Sequence, residues 1–363
     1  MNYQSTIFSA YLSDPEIATL ISDEALIKKM LQFEAALATA QAKLGMIPQT
    51  AADEIKTVLN AITILPADLS AGTLQNGIPV VTLVALVKQQ LSKEAQPYFH
   101  FGTTSQDVMD TAMVLLVKDA LAVINNRTTG LIQALQHLSQ QYGATPCMAR
   151  TRAQLAMPVT FAHKINAWLQ PLQNQAAGIQ QLKKNMALQL GGAAGDAAAF
   201  GNNATALVNE VATILNITAA PAWHAQRSSV ASLGNWLALH TAILAKMGAD
   251  ILVMAQSEIN EVEENAGGGG KSSAMPHKNN PVLSEAMVAL GKINAGLQSQ
   301  LLLAVIHQNE RDAAAWILEW NALPQLLINT AIALQHATTI ATAIKVNTAQ
   351  MLANVETFNK ANK

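Results

Sequence analysis

From Ser228 to Glu264 no proline interrupts the chain, and Val230, Leu233, Leu237, Ile243, Met247, Ile251 and Met254 recur at helical spacing. A single helix over that run would be about 50 Å long. A rod that is apolar around much of its circumference needs partners of similar length on several sides. Other segments supply them. Asp23 to Leu44 places Leu26, Met30, Phe33, Leu37 and Ala40 on one stripe, stopped by Gly45 and Pro48. Residues 106–123 read as a helix headed by Ser105 and Asp107. Another pattern starts after Pro158, runs through Trp168 to about Leu190, and should kink near Pro171. Further helices follow Pro281 and Pro324, and no segment alternates with a sustained period of two. The expectation is an all-α fold, a long-helix bundle shared between subunits.

Half of the residues are hydrophobic and only 13% are charged. Yet no stretch reaches the roughly 18 uninterrupted apolar residues of a membrane helix; MVLLVKDALAVI, for instance, carries Lys118 and Asp119. Such a charge-poor surface is best hidden against further copies of the chain, so an oligomer is expected and a membrane partner is not. A net charge of −2 with 4% aromatic residues leaves neither a basic field nor stacking platforms for nucleic acid. The single cysteine, Cys147, excludes an intrachain disulfide and a cysteine-built metal site. The eight histidines show no HxxxH or HExxH spacing, so no metal is expected. GGAAGDAAAFG at 191–201 lacks a preceding strand and reads as a helix–loop junction rather than a nucleotide fingerprint, and no cofactor is expected. The N-terminus has no basic-then-apolar signal, which points to the cytoplasm.

In so apolar a chain, polar islands stand out. The first is YFHFGTTSQDVMDT at 98–111, where hydroxyls beside His100 lead into a helix start and Asp107 caps or buttresses that helix. The second, ARTRAQLAMPVTFAH at 149–163, offers Thr151, Arg152 and Gln154, with Arg152 suited to clamp a carboxylate. The third is AGGGGKSSAMPHKNNPVLSE at 266–285. Its glycines read as a loop that closes over a ligand, Asn280 reads as an N-cap with Pro281 at the first helical position, and Lys278 with that helix start suggests an anion site. The acidic run Glu258, Glu261, Glu263 and Glu264 reads as a solvated helix end, in an electrostatically poor position.

GTTSQDVMDT, RTRAQLAMPVTF and KSSAMPHKNNP resemble, in order and spacing, the three signature regions of the fumarase/aspartase superfamily. FSAYLSDPEIATL, LQLGGAAGDAAAFG, AWHAQRSSVA and NERDAAAWILEWNALP further resemble its 3-carboxy-cis,cis-muconate cycloisomerase branch, over essentially the whole chain. The resemblance implies an N-terminal helical domain over 1–100, a central bundle over 101–363, and a homotetramer with composite sites. It also leads us to expect that the usual small C-terminal helical domain is absent. It implies a cofactor-free closure of a tricarboxylate to 4-carboxymuconolactone in protocatechuate breakdown. Ser272 would be the base, or the proton donor in the reverse direction, with Lys278 and Asn280 holding the activated carboxylate. Thr104, Ser105, Thr151 and Gln154 would fix the rest of the ligand. Arg152, Arg227, Lys278 and Arg311 are candidate carboxylate clamps, Arg227 and Arg311 being equally readable as bundle salt-bridge partners. Gln226, Ser273 and Met275 lie in the same segments and complete the candidate binding set.

Three departures from the superfamily pattern matter. Arg152 stands where the lyases carry a histidine, Lys271 where glycine is usual, and Asn279 where arginine is usual. Arginine does not release its proton, so the general acid is left open and His100 is the substitute candidate. The rival expectations are an adenylosuccinate lyase-like enzyme that releases fumarate and a non-catalytic structural relative.

Overall fold

In the computed structural model, which describes residues 5–264 and 269–361, the all-α expectation holds. The chain opens with α1 (Ser9–Leu12), α2 (Pro15–Leu20), α3 (Asp23–Lys43), α4 (Gln49–Ala61), α5 (Pro66–Asn76) and α6 (Val80–Gln90). The long α7 (Ser105–Tyr142) follows, then a hairpin of β1 (Pro146–Thr151) and β2 (Gln154–Thr160), α8 (Phe161–Asn185), α9 (Ala204–Leu215) and α10 (Ser228–Met254). After β3 (Val262–Glu263) come α11 (Val282–Ala304), α12 (Ala313–Ala343), β4 (Lys345–Val346), which pairs with β3, and α13 (Thr348–Ala361).

Local chemistry sets the helix ends. Ser22 accepts the Ala25 N–H to cap α3, whose first turn holds Asp23 and Glu24 and whose last turn holds Lys43, matching the helix dipole. The expected α3 stripe is buried at Met30, Phe33, Leu37 and Ala40. α7, α8, α10, α11 and α12 pack into the bundle. One apolar cluster fills it, built around Leu121, Trp168, Leu237, Met287 and Leu326. A second cluster joins α3–α6 to Leu188, Leu190, Phe200, Leu207 and Val211.

Side-chain bonds give the bundle its direction. Arg227, just before α10, pairs with Asp110 near the start of α7. Arg311, just before α12, reaches Thr104. The starts of α7, α10 and α12 therefore share one end, here the head. The β-hairpin grows from the opposite end of α7, where Phe161 N–H bonds Thr145 O and Ala162 N–H bonds Gly143 O. Arg150 of that hairpin lies 3.5 Å from Glu261, beyond the end of α10.

Five expectations change. The second polar island is a strand pair; Leu155, Met157 and Val159 alternate, but Pro158 hides the pattern. α8 ends at Asn185, short of Leu190. α10 stops at Met254, well short of Glu264. The acidic run is consequently no solvated helix end: Glu258 is exposed, whereas Glu261 and Glu264 are buried. Glu264 accepts the backbone N–H groups of Leu283 (2.8 Å) and Ser284 (2.9 Å), and Glu263 pairs with Lys345. Finally, the N-cap of α11 is Pro281 rather than Asn280. By length and composition α10 could cross a membrane, but half of that stretch is buried in the bundle, including His240 and Thr241.

Candidate active site

At the head, Asp107 is the keystone. It is fully buried, in the first turn of α7. One carboxylate oxygen accepts Gly191 N–H (2.9 Å) and lies 3.0 Å from His224 Nε2. The other accepts Gly192 N–H (2.8 Å), the Thr103 hydroxyl (3.0 Å) and Thr104 N–H (3.1 Å). Asp107 thus both caps α7 and anchors the glycine-rich junction. Gly192 adopts φ +70°, a left-handed conformation that glycine takes without a Cβ penalty. Arg311 donates from Nε to Gln106 Oε1 (2.9 Å) and from Nη2 to Thr104 Oγ1 and Ala193 O (both 3.1 Å). Thr104, Ser105 and Arg311 are therefore brought together, with charged and hydroxyl groups at the start of a long helix.

Arg227 is not a substrate clamp. Its Nη1 and Nη2 donate to Asp110 (2.6 and 3.0 Å), its Nε donates to Glu319 (2.8 Å), and Nη2 also reaches Glu319. The guanidinium lies 4.6 Å from the Trp223 ring centre and is 1% exposed. Burial alone would lower its pKa, but Asp110 and Glu319 raise it further than burial lowers it. Burial pushes the Glu319 carboxyl up, with Arg227 pulling it back down. With four of its five N–H donors committed and the side chain sealed inside the bundle, Arg227 is out of a ligand's reach. Its neighbour Gln226 is exposed.

At the other end of α7, Arg152 and Ala153 form the hairpin tip, with φ of 49° and 66°. Two positive φ values in a two-residue connection match the twist of the flanking strands. Thr151, Arg152 and Gln154 are together and exposed at this tip.

The third island closes on itself. Lys271 bridges Asn279, and both the N–H and the side-chain amide of Asn280 bond Gly270 O (2.8 and 2.9 Å). Gly270 sits at φ +79°, where a Cβ would fall 2.1 Å from Asn280 O. Gly267 and Gly268 of the glycine run lie outside the described residues. Inside the loop the Ser272 hydroxyl oxygen accepts the N–H groups of Ala274 (3.3 Å) and Met275 (3.1 Å). Ser273, Met275 and Lys278 are exposed. The helix start beyond the loop is not an open anion site, because the Glu264 carboxylate already occupies it.

His100 lies four residues before Thr104, at φ 61°, with Nδ1 2.5 Å from Glu34 Oε1. Glu34 was not singled out in the sequence; the available signal was a carboxylate at a helical-stripe position beside Phe33 and Leu37. Among the described residues no group of three or more His, Cys, Asp or Glu side chains is placed to hold a metal ion.

The first island meets neither of the other two within one subunit. α7 has 38 residues, about 57 Å, between Thr104 at the head and the base of the hairpin. Strands of six and seven residues, each about 20 Å long, cannot span that gap. The third island, beyond the far end of α10, is likewise remote from the head.

A sequence profile of the family described as Lyase matches residues 12–293. The chain is 32% identical to the 3-carboxy-cis,cis-muconate cycloisomerase of Acinetobacter baylyi, over 97% of this chain and 80% of that one. It is 30% identical to the N-acetyl-S-(2-succino)cysteine lyase of Enterococcus italicus, over 95% of this chain and 76% of that one. The crystal structure of 3-carboxy-cis,cis-muconate lactonizing enzyme from Pseudomonas putida superposes with a TM-score of 0.90 at 33% identity, over 97% of this chain and 80% of that one.

Proposed function

The chain belongs to the lyase family of the fumarase/aspartase superfamily, and from that premise we propose that it closes 3-carboxy-cis,cis-muconate to 4-carboxymuconolactone. The observation that carries this reading is the guanidinium at the hairpin tip. Arg152 can hold a carboxylate but cannot carry a proton. A lyase that expels an amine must protonate its leaving group, and loses much by that exchange. In lactone formation the group that adds, and in reversal leaves, is a carboxylate, which needs no proton. An arginine at 152 suits the second chemistry and handicaps the first.

The step balances within the substrate and one hydroxyl. A carboxylate oxygen forms the new C–O bond, the double-bond electrons move toward the neighbouring carboxylate, and Ser272 Oγ–H delivers a proton to the α-carbon. The alkoxide left on Ser272 is stabilised by the N–H groups of Ala274 and Met275, already directed at that oxygen, and by the Lys278 charge on the same loop. His100 returns a proton to Ser272 and recovers its own from solvent. Arg152, Lys278 and Arg311 supply cations for the three carboxylates; Thr104, Ser105, Thr151, Gln154, Gln226, Ser273, Met275 and Asn280 would complete the binding surface.

Because the first island lies at the opposite end of the subunit from the other two, the working site is assembled from several subunits, in a tetramer. Exposed Leu239, Ile293, Leu302, Leu303, Ile306 and Ile317 on and beside the bundle helices are apolar surface for those contacts. The test is incubation with 3-carboxy-cis,cis-muconate, following loss of the conjugated diene by ultraviolet absorbance, with N-acetyl-S-(2-succino)cysteine in parallel. Diene loss with formation of the carboxymuconolactone is expected. Fumarate release from the succinyl thioether with an unchanged diene would move the chain to the lyase branch.

A further inference from the structure

α3 carries two buried polar side chains one heptad apart, and both hold the same turn. Gln41, fully buried, donates from Nε2 to the Phe101 carbonyl (2.8 Å). Glu34, 1% exposed, places Oε1 2.5 Å from His100 Nδ1. Burying a carboxylate in the apolar face of a helix is costly unless a specific partner requires it. The turn it meets is itself held in an uncommon shape. His100 adopts φ 61° and Gly102 φ 75°, and a non-glycine residue in that region is strained by about 1–2 kcal/mol. A Cβ at Gly102 would fall 2.7 Å from the Phe200 ring, so the second apolar cluster backs the turn.

The result is an imidazole with two different faces. Nδ1 is turned inward onto a buried carboxylate. Nε2 has no hydrogen-bond partner among the described residues, and the ring keeps 18% of its side-chain surface. A carboxylate on one ring nitrogen fixes the tautomer and leaves the other nitrogen to exchange protons. The second carboxylate oxygen of Glu34 is buried without a partner, so its charge is directed at His100 alone.

We propose that Glu34 is the positioning residue for proton transfer by His100. It keeps the hydrogen on Nδ1, presents Nε2 toward the ligand, and balances the imidazolium when His100 holds the proton. The inference rests on the assignment of His100 as a proton carrier in the reaction proposed above.

Three variants of the full-length oligomer test it: Glu34→Gln, Glu34→Leu and His100→Asn, each checked for native helicity and oligomeric size. Steady-state kinetics on 3-carboxy-cis,cis-muconate should show kcat of Glu34→Gln lowered at least about tenfold, with KM within about threefold of the parent. A purely structural Glu34 would not separate the two constants in that way. Solid-state 15N spectra of histidine-labelled protein, with His100 identified by its loss in His100→Asn, should show Nδ1–H alone in the parent. Both neutral tautomers should appear in Glu34→Leu. A kcat for Glu34→Gln within about twofold of the parent, beside a depressed His100→Asn, overturns the proposal. Full activity in His100→Asn overturns it together with the proton-carrier assignment. If the parent turns over no muconate, the substrate reading fails by itself. The tautomer spectra then decide, and an unchanged His100 signal in Glu34→Leu rejects the positioning role.

Discussion

The head of the bundle and the signature loop both concentrate polar side chains, yet they hold them in opposite ways. At the head, Asp107, Asp110, Arg227 and Glu319 are buried, and each is answered by two or more charged or N–H partners. In the loop, Ser272 accepts two backbone N–H groups, while the side chains of Ser273 and Lys278 face solvent. Groups whose hydrogen-bonding capacity is used up inside the protein form a frame. Groups left with unused capacity are the ones available to a ligand. Polarity alone does not separate the two; desolvation does.

The contrast breaks if a loop residue proves structural or a frame residue proves dispensable. The largest expected effect is Ser272→Ala: kcat down about a thousandfold or more, equal to about 4 kcal/mol of barrier, with an unfolding midpoint within about 1 °C of the parent. A large loss of stability there would place Ser272 in the frame. Arg227→Met strands two buried carboxylates, and denaturant unfolding should show a loss of about 3–5 kcal/mol, whatever the residual activity. A near-neutral result would mean that the head tolerates desolvated charge. His240 offers a milder test inside the bundle, buried and 3.2 Å from Thr128 Oγ1. Burial lowers its pKa to about 4. The unfolded chain, titrating near 6.5, then takes up the proton first, so stability is full above about pH 6.5 and falls as pH drops toward 4, by about 3 kcal/mol. His240→Leu should flatten that part of a stability-versus-pH curve. Smallest in stability is Gly270→Ala, expected to cost about 1–2 kcal/mol through its left-handed φ, with the 2.1 Å clash of its Cβ against Asn280 O relieved by opening of the loop. Its sharper signature is kinetic, since the loop can no longer close on Asn280, and turnover should fall well beyond what the stability change explains.

What the sequence discloses by itself follows the same division. Long apolar periodicities gave the helices, because burial along a 3.6-residue repeat is written directly in residue type. The capping or buttressing role of Asp107 was legible because a carboxylate in a first helical turn has a local reason to be there. Arg227 was ambiguous, since its partners Asp110 and Glu319 are 117 and 92 residues away, and no local pattern announces them. The hairpin was obscured by Pro158 inside β2, and the end of α10 by an acidic run whose partners lie at Leu283, Ser284, Asn354 and Lys345. Glu34 stayed hidden for a related reason. Its meaning depends on a turn 66 residues later, in a conformation that sequence does not advertise. Local physics reads off a chain well; long-range pairing of charges does not.

The length of α7 also has a genetic side. With Thr104 at the head and Ser272 beyond the far end, the composite site proposed above would leave no one polypeptide owning a working centre. Two defective alleles, one damaged at the head and the other in the loop, would assemble into hybrid particles in which some centres draw only sound parts. A doubly damaged allele mixed with a sound one would instead spread its defects over more centres than its share of the subunits. For this fold, recessive and dominant behaviour follows from which end of a helix a lesion sits at.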